Sequence, residues 1–190
     1  LSGVLVEIDP NSPDNCNKRF AAFSGSTSVS IGCKNMQDLS RDPLFQQLYP
    51  TSSWGREYGI APFVDRRYIV RVLAAEDNTI VKINGSVAAT LNRGDKHTTL
   101  ETVAPMFVSA NKKISVAQYS LTQKCSAVNG FLMAGDPEMV LLNPVEFNIK
   151  AVTMFSSTKE AIDERYINII MRTKSRHTFK IDGVAISGGW

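Results

Sequence analysis

The chain has 190 residues, is 43% hydrophobic and 21% charged, and carries a formal net charge of +3. That size admits one or two domains, and that balance belongs to a globular protein able to bury a core. The Lys and Arg residues are scattered, which argues against a nucleic-acid or membrane-surface patch, and no apolar run approaches the length of a membrane helix.

Taken in chain order, the pattern is one of strands. Leu1 is followed at once by the Val4-Leu5-Val6-Glu7-Ile8 strand pattern, and strands are expected at Phe20–Phe23 and Ser28–Gly32 as a hairpin. Asp42–Leu48 reads as a helical turn, and residues 49–58 read as a loop. Tyr68–Ala75 is rich in Ile, Val and Leu with Arg71 inserted, the mark of a partly buried strand. Thr79–Ile83 and Ser86–Leu91 flank Asn84-Gly85, a strong hairpin signal because both central residues of a type I′ turn need positive φ. Further strands are expected at Met106–Ser109, Ile114–Tyr119, Glu146–Ile149 and Val152–Phe155, with a short helical stretch at Thr158–Asp163. Turn residues recur every 8 to 12 positions or so, as in all-β sandwiches and barrels. The expected fold is all-β with little helix.

The sequence also repeats itself. Arg67-Tyr68-Ile69 through Lys82-Ile83-Asn84-Gly85 aligns with Arg165-Tyr166-Ile167 through Lys180-Ile181-Asp182-Gly183, with six of nineteen positions identical. Asp42-Pro43 through Tyr49-Pro50 aligns with Asp136-Pro137 through Asn143-Pro144, and Asn17-Lys18-Arg19-Phe20 with Asn111-Lys112-Lys113-Ile114. The offsets are 98, 94 and 94 residues. This predicts tandem β-sandwich-like modules of about 95 residues. In repeat phase, residues 1–36 form the end of one module, 37–133 a complete module, and 134–190 the front of another, complementary to 1–36. The chain then reads as part of a longer protein.

Catalytic chemistry finds little support. His97 and His177 have no second ligand at metal spacing, no Gly-x-Ser-x-Gly elbow occurs, and no metal site or cofactor motif is expected. Glu76-Asp77-Asn78 and Gly135-Asp136-Pro137-Glu138 could offer oxygen ligands to calcium but fit turns better. Among the three cysteines, Cys16 and Cys33 flank the expected hairpin and are candidates for a disulfide, leaving Cys125 to pair elsewhere. Asn84-Gly85-Ser86 is a glycosylation sequon whose Asn also heads the hairpin turn. Arg67, Tyr68, Arg165 and Tyr166 recur in both copies and read as packing residues. Tyr49, Trp54 and Tyr58 lie within ten residues of one another and are the candidate binding residues, with Trp54 also fitting an internal plug.

Leu48-Tyr49-Pro50-Thr51-Ser52-Ser53-Trp54-Gly55-Arg56-Glu57-Tyr58, Asp77-Asn78-Thr79-Ile80-Val81 and Asn111-Lys112-Lys113-Ile114-Ser115-Val116 resemble the IgGFc-binding protein N-terminal domain. Gly135-Asp136-Pro137-Glu138-Met139, read with Leu142-Asn143-Pro144-Val145-Glu146, does so too, and the likeness spans most of residues 17–185. The resemblance implies an extracellular, secreted or cell-surface β-rich module without catalytic residues. It would contact a protein or glycan partner, bind no nucleic acid and insert in no membrane. The alternative is a structural subunit of an extracellular filament or surface layer that self-associates through strand edges.

Overall fold

The computed structural model describes residues 3–9, 11, 18–32, 41–126, 136–154 and 165–186. The chain divides into two compact units, Leu1–Met154 and Phe155–Trp190.

In the first unit, β1 (Phe23–Val29) and β2 (Asp42–Gln47) pair antiparallel in a sheet of two strands. Then come β3 (Gly55–Ile60), β4 (Tyr68–Ala74), β5 (Thr79–Ile83), β6 (Ser86–Leu91), β7 (Lys96–Thr98) and β8 (Met106–Ser120). A single helical turn, α1 (Gln123–Ser126), and the short β9 (Met139–Leu141) complete it. These strands form a seven-stranded, nearly closed sheet in the order β6-β5-β8-β4-β7, with β3 and β9 also on β8.

β8 is the spine. Val108 and Ser109 are paired by Tyr58 and Glu57 of β3 and by Ile83 and Lys82 of β5, which must therefore lie on opposite edges. Ile114 faces Gly55 of β3 and Ala74 of β4. Ala117 to Tyr119 face Arg71 to Ile69 of β4 and Leu141 to Met139 of β9. Thus β5 and β4 follow one another along one edge, and β3 and β9 along the other.

The core follows from period-2 alternation. Tyr68, Val70, Val72 and Ala74 of β4 are buried, while Ile69, Arg71 and Leu73 between them are half-buried. Tyr58, Ile60, Val81, Leu91, Val108, Ile114 and Val116 pack with them. Gln118, also buried, donates from Nε2 to the Ala61 carbonyl at 2.9 Å. Outside the sheet, Arg71 stands 5.1 Å over the Tyr119 ring, a cation–π contact.

Several sequence expectations are corrected here. Within residues 20–32 there is one strand, Phe23–Val29, rather than a hairpin, and its partner is Asp42–Gln47 in a stretch expected as a helical turn. Pro43 cannot donate to a ladder, but β2 is paired only with β1, so an edge position accommodates it. Val145–Phe147 is a 3-10 turn where a strand over Glu146–Ile149 was expected, and Val152–Met154 is not in a strand. Glu57 and Arg56 hid β3 altogether. The expected helix at Thr158–Asp163 lies outside the described residues.

In the second unit, the 3-10 stretch Thr173–Thr178 precedes a hairpin of β10 (Lys180–Ile181) and β11 (Val184–Ala185).

Two buried phenols set testable properties. The Tyr58 hydroxyl donates to the Ile114 carbonyl at 2.6 Å and accepts from the Gly55 N–H at 3.0 Å. Tyr58→Phe strands both backbone groups in the interior, and we expect urea unfolding to show a loss of about 1–3 kcal/mol. Burial pushes the Tyr58 and Tyr68 phenols from 10.0 up to about 12; for Tyr58 the Gly55 N–H opposes this and the Glu146 carboxylate adds to it. A pKa raised by folding favours the neutral form, so this contribution is intact below the unfolded value and lost as pH rises through the folded one. Denaturation midpoints should hold up to about pH 10 and fall towards about pH 12.

Candidate functional site

A small cleft of about 230 Å³ is lined by Tyr49, Ser53, Asn143 and Phe147. Its walls are two short segments of the same construction. On one side, Pro50 precedes the 3-10 turn Thr51–Ser53; on the other, Pro144 precedes the 3-10 turn Val145–Phe147. Proline fixes its own φ and biases the residue before it to extended backbone, so each strand-to-turn corner is built in. Pro50 has φ −62° and ψ 150°, and Pro144 has φ −69° and ψ 154°.

The hydrogen bonds repeat as well. Ser53 N–H donates to Pro50 O and Trp54 N–H to Thr51 O; Phe147 N–H donates to Pro144 O and Asn148 N–H to Val145 O. All of these correspond at the offset of 94 found in the sequence. β2 leads into the first corner and lies against β9, which leads into the second. The four lining residues are consequently two equivalent pairs, Tyr49 with Asn143 and Ser53 with Phe147. One exposed ring and one polar side chain come from each segment.

The second wall is clamped to β3. Arg56 N–H donates to Glu146 Oε1 at 2.6 Å. Gly55 sits so close to Pro144 that a Cβ would collide with its ring and come within 2.8 Å of Glu146 Oε2. Tyr58, beneath, holds the Gly55 N–H.

The candidate binding residues from the sequence are thus split. Tyr49 is 40% exposed and lines the cleft. Trp54 is half-buried and donates from Nε1 to the Tyr49 carbonyl at 3.1 Å, bracing the loop from within. Tyr58 is 1% exposed, because strand alternation turns it into the core; it supports the site and cannot touch a partner. Sequence reasoning missed Phe147, 51% exposed, and Asn143. The aligned Pro50 and Pro144 were the available signal, but nothing in the alignment says that the two copies meet in space.

The remaining candidates fall elsewhere. Asn84 is exposed at its turn, accepts from Phe107 N–H through Oδ1 at 2.8 Å and donates its own N–H to Phe107 O. His97 lies on β7 and His177 in the 3-10 stretch of the second unit. Glu76-Asp77-Asn78 is a turn in which Asp77 Oδ1 accepts from Arg93 N–H. Among the described residues no cluster of His, Cys, Asp and Glu could hold a metal ion, and no helix is long and apolar enough to cross a membrane. Tyr68 is buried and donates to Ala104 O at 2.6 Å, a packing role. Cys16 and Cys33 lie outside the described residues, whereas Cys125 is buried and disulfide-bonded.

A family model described as IgGFc binding protein matches residues 1–190. The chain belongs to the IgGFc-binding protein family. Neither the curated proteins nor the solved structures compared with it give a match. The family is one of binding domains.

Two experiments follow. Gly55→Ala should destabilise the first unit by about 1–3 kcal/mol in urea unfolding, since Pro144 and Glu146 must both shift. A Cβ on Gly32 would stand 3.3 Å from Cys125 Cβ, and Ile31 and Thr122 exchange backbone and side-chain hydrogen bonds. Non-reducing peptide mapping is therefore expected to recover Cys125 in a disulfide-linked peptide, and a free Cys125 thiol in the native protein would refute this.

Proposed function

We propose that this chain is a non-catalytic binding and adhesion module of an extracellular protein, contacting a protein or glycan partner through the Tyr49–Phe147 cleft. The observation that carries the reading is the pair of exposed rings and two hydrogen-bonding side chains, held at one opening by two clamped turns in a member of a binding-domain family. Exposed aromatic side chains supply contact area at low conformational cost, and the Asn143 amide and Ser53 hydroxyl supply direction. The lining has no charge, so recognition there would depend little on salt.

A glycan array and an extracellular-protein panel, run beside a hydrolase panel on the same preparation, test this. Tyr49→Ala combined with Phe147→Ala is expected to weaken the bound partner at least about tenfold, the scale of two exposed anchors, while leaving urea unfolding within about 1 kcal/mol of the parent. Partner binding that survives the double substitution would remove the cleft from the reading. Turnover that persists through purification and is abolished by a point substitution would remove the non-catalytic part.

A further inference from the structure

Two groups in the hairpin of the first unit go unused by the fold. Asn84 and Gly85 form the left-handed turn between β5 and β6, with φ 50° and 86°. Asp182 and Gly183 form the same turn between β10 and β11, with φ 48° and 80°. Ile83 pairs with Ser86 across the first turn, and Ile181 with Val184 across the second. An aspartate therefore makes this turn as an asparagine does, and a valine follows it as a serine does. The turn accounts for neither the Asn84 amide nitrogen nor the Ser86 hydroxyl.

The clamp on β8 does not account for them either. Asn84 donates its backbone N–H to the Phe107 carbonyl at 2.8 Å, and its Oδ1 accepts from the Phe107 N–H at 2.8 Å. A carboxylate oxygen could accept there equally well. With Oδ1 held against β8, Nδ2 is the remaining arm of the amide, and it has no hydrogen-bond partner among the described residues. Asn84 and Ser86 are both exposed, and a Cβ on Gly85 between them would meet nothing within 4 Å. Asn84-Gly85-Ser86 is also the only Asn-x-Ser or Asn-x-Thr triplet in the chain whose middle residue is not Pro.

We infer that Asn84 carries an N-linked glycan, transferred from a lipid-linked oligosaccharide pyrophosphate. Nδ2 loses one proton and bonds to the anomeric carbon of the first sugar. The bond from that carbon to the pyrophosphate oxygen breaks, and its electron pair leaves with the lipid pyrophosphate. Oδ1 takes no part in the exchange, so the product keeps the clamp on Phe107. Val87 and Phe107, 63% and 42% exposed, lie beside the attachment point and are the apolar surface that the first sugars cover. The cleft stays open: Phe107 is the second residue of β8, whereas Gly55, which abuts Pro144 in the cleft wall, pairs with Ile114. Transfer takes place on the secretory route, so the assignment rests on the extracellular reading.

The full chain, secreted from a eukaryotic cell behind a cleavable signal peptide, tests the site. Its intact mass is expected to fall on treatment with peptide N-glycosidase, and release in heavy-oxygen water should leave labelled aspartate at position 84 alone. Ser86→Ala should abolish the glycan and Ser86→Thr should retain it. Asn84→Asp, which copies the turn of the second hairpin, should abolish the glycan and unfold at the same urea concentration as Ser86→Ala. A folded, secreted chain with Asn84 bare, or a glycan that persists in Ser86→Ala, would overturn the inference. Fractionation of the source cells tests the extracellular reading by itself, because the mass result comes from a chain routed to the secretory lumen in either case.

Discussion

The fold depends on a single strand that takes neighbours along both of its edges. β8 satisfies β5 and then β4 along one side, and β3 and then β9 along the other. Backbone N–H and C=O groups buried without partners are costly, so a strand this central organises the register of everything beside it. Its burial records that role: Val116 to Tyr119 are all buried, against the alternating pattern of an ordinary one-faced strand. The region around Ile114 shows how local chemistry depends on this. Ile114 fixes the Tyr58 hydroxyl, Tyr58 fixes Gly55, and Gly55 leaves room for Pro144 and hence for the turn that carries Phe147.

The internal likeness is expressed as repeated backbone solutions. A proline followed by a 3-10 turn appears twice at an offset of 94, and a left-handed two-residue turn with the same pairing register appears twice at an offset of 98. The fates of the two pairs differ because their environments differ. The proline corners meet, since β2 lies against β9, and together they enclose a cleft. The hairpins do not share an environment: one is locked against β8, the other exposes its aliphatic residues. Equal local sequence therefore sets local geometry, and long-range pairing decides what that geometry is used for.

Much of the β architecture was legible. Alternation in Tyr68–Ala74 and the Asn-Gly and Asp-Gly turns are short-range signals that survive into the structure because nothing in the surroundings opposes them. The expected Met106–Ser109 and Ile114–Tyr119 strands are the two ends of β8; the polar Asn111-Lys112-Lys113 between them concealed its continuity. β3 escaped because Arg56-Glu57 and two glycines carry no strand signal, and its membership is enforced from outside by β8. Tyr58 was misread for the same reason: without β3 there is no alternation to turn it inward. The cleft was the least legible feature, since it exists only when segments 94 residues apart come together.

The size and neutrality of the cleft bear on how such a module would work. Ligand pockets usually enclose about 300–1,000 Å³, and this one, near 230 Å³, is lined by four side chains without a formal charge. On the proposed reading, a contact of that kind would accommodate one ring or one side chain, with affinity from a stacked aromatic face and a few directed hydrogen bonds. Single engagements of that kind would be weak and would exchange quickly. Adhesion built from such contacts gains strength by repetition, because a second engagement on the same molecule occurs at high effective concentration. A rigid wall helps, since little side-chain freedom remains to be lost on binding. The clamps on the Phe147 turn, from Glu146 to Arg56 and from Pro144 to Gly55, provide that rigidity where the partner would meet the protein.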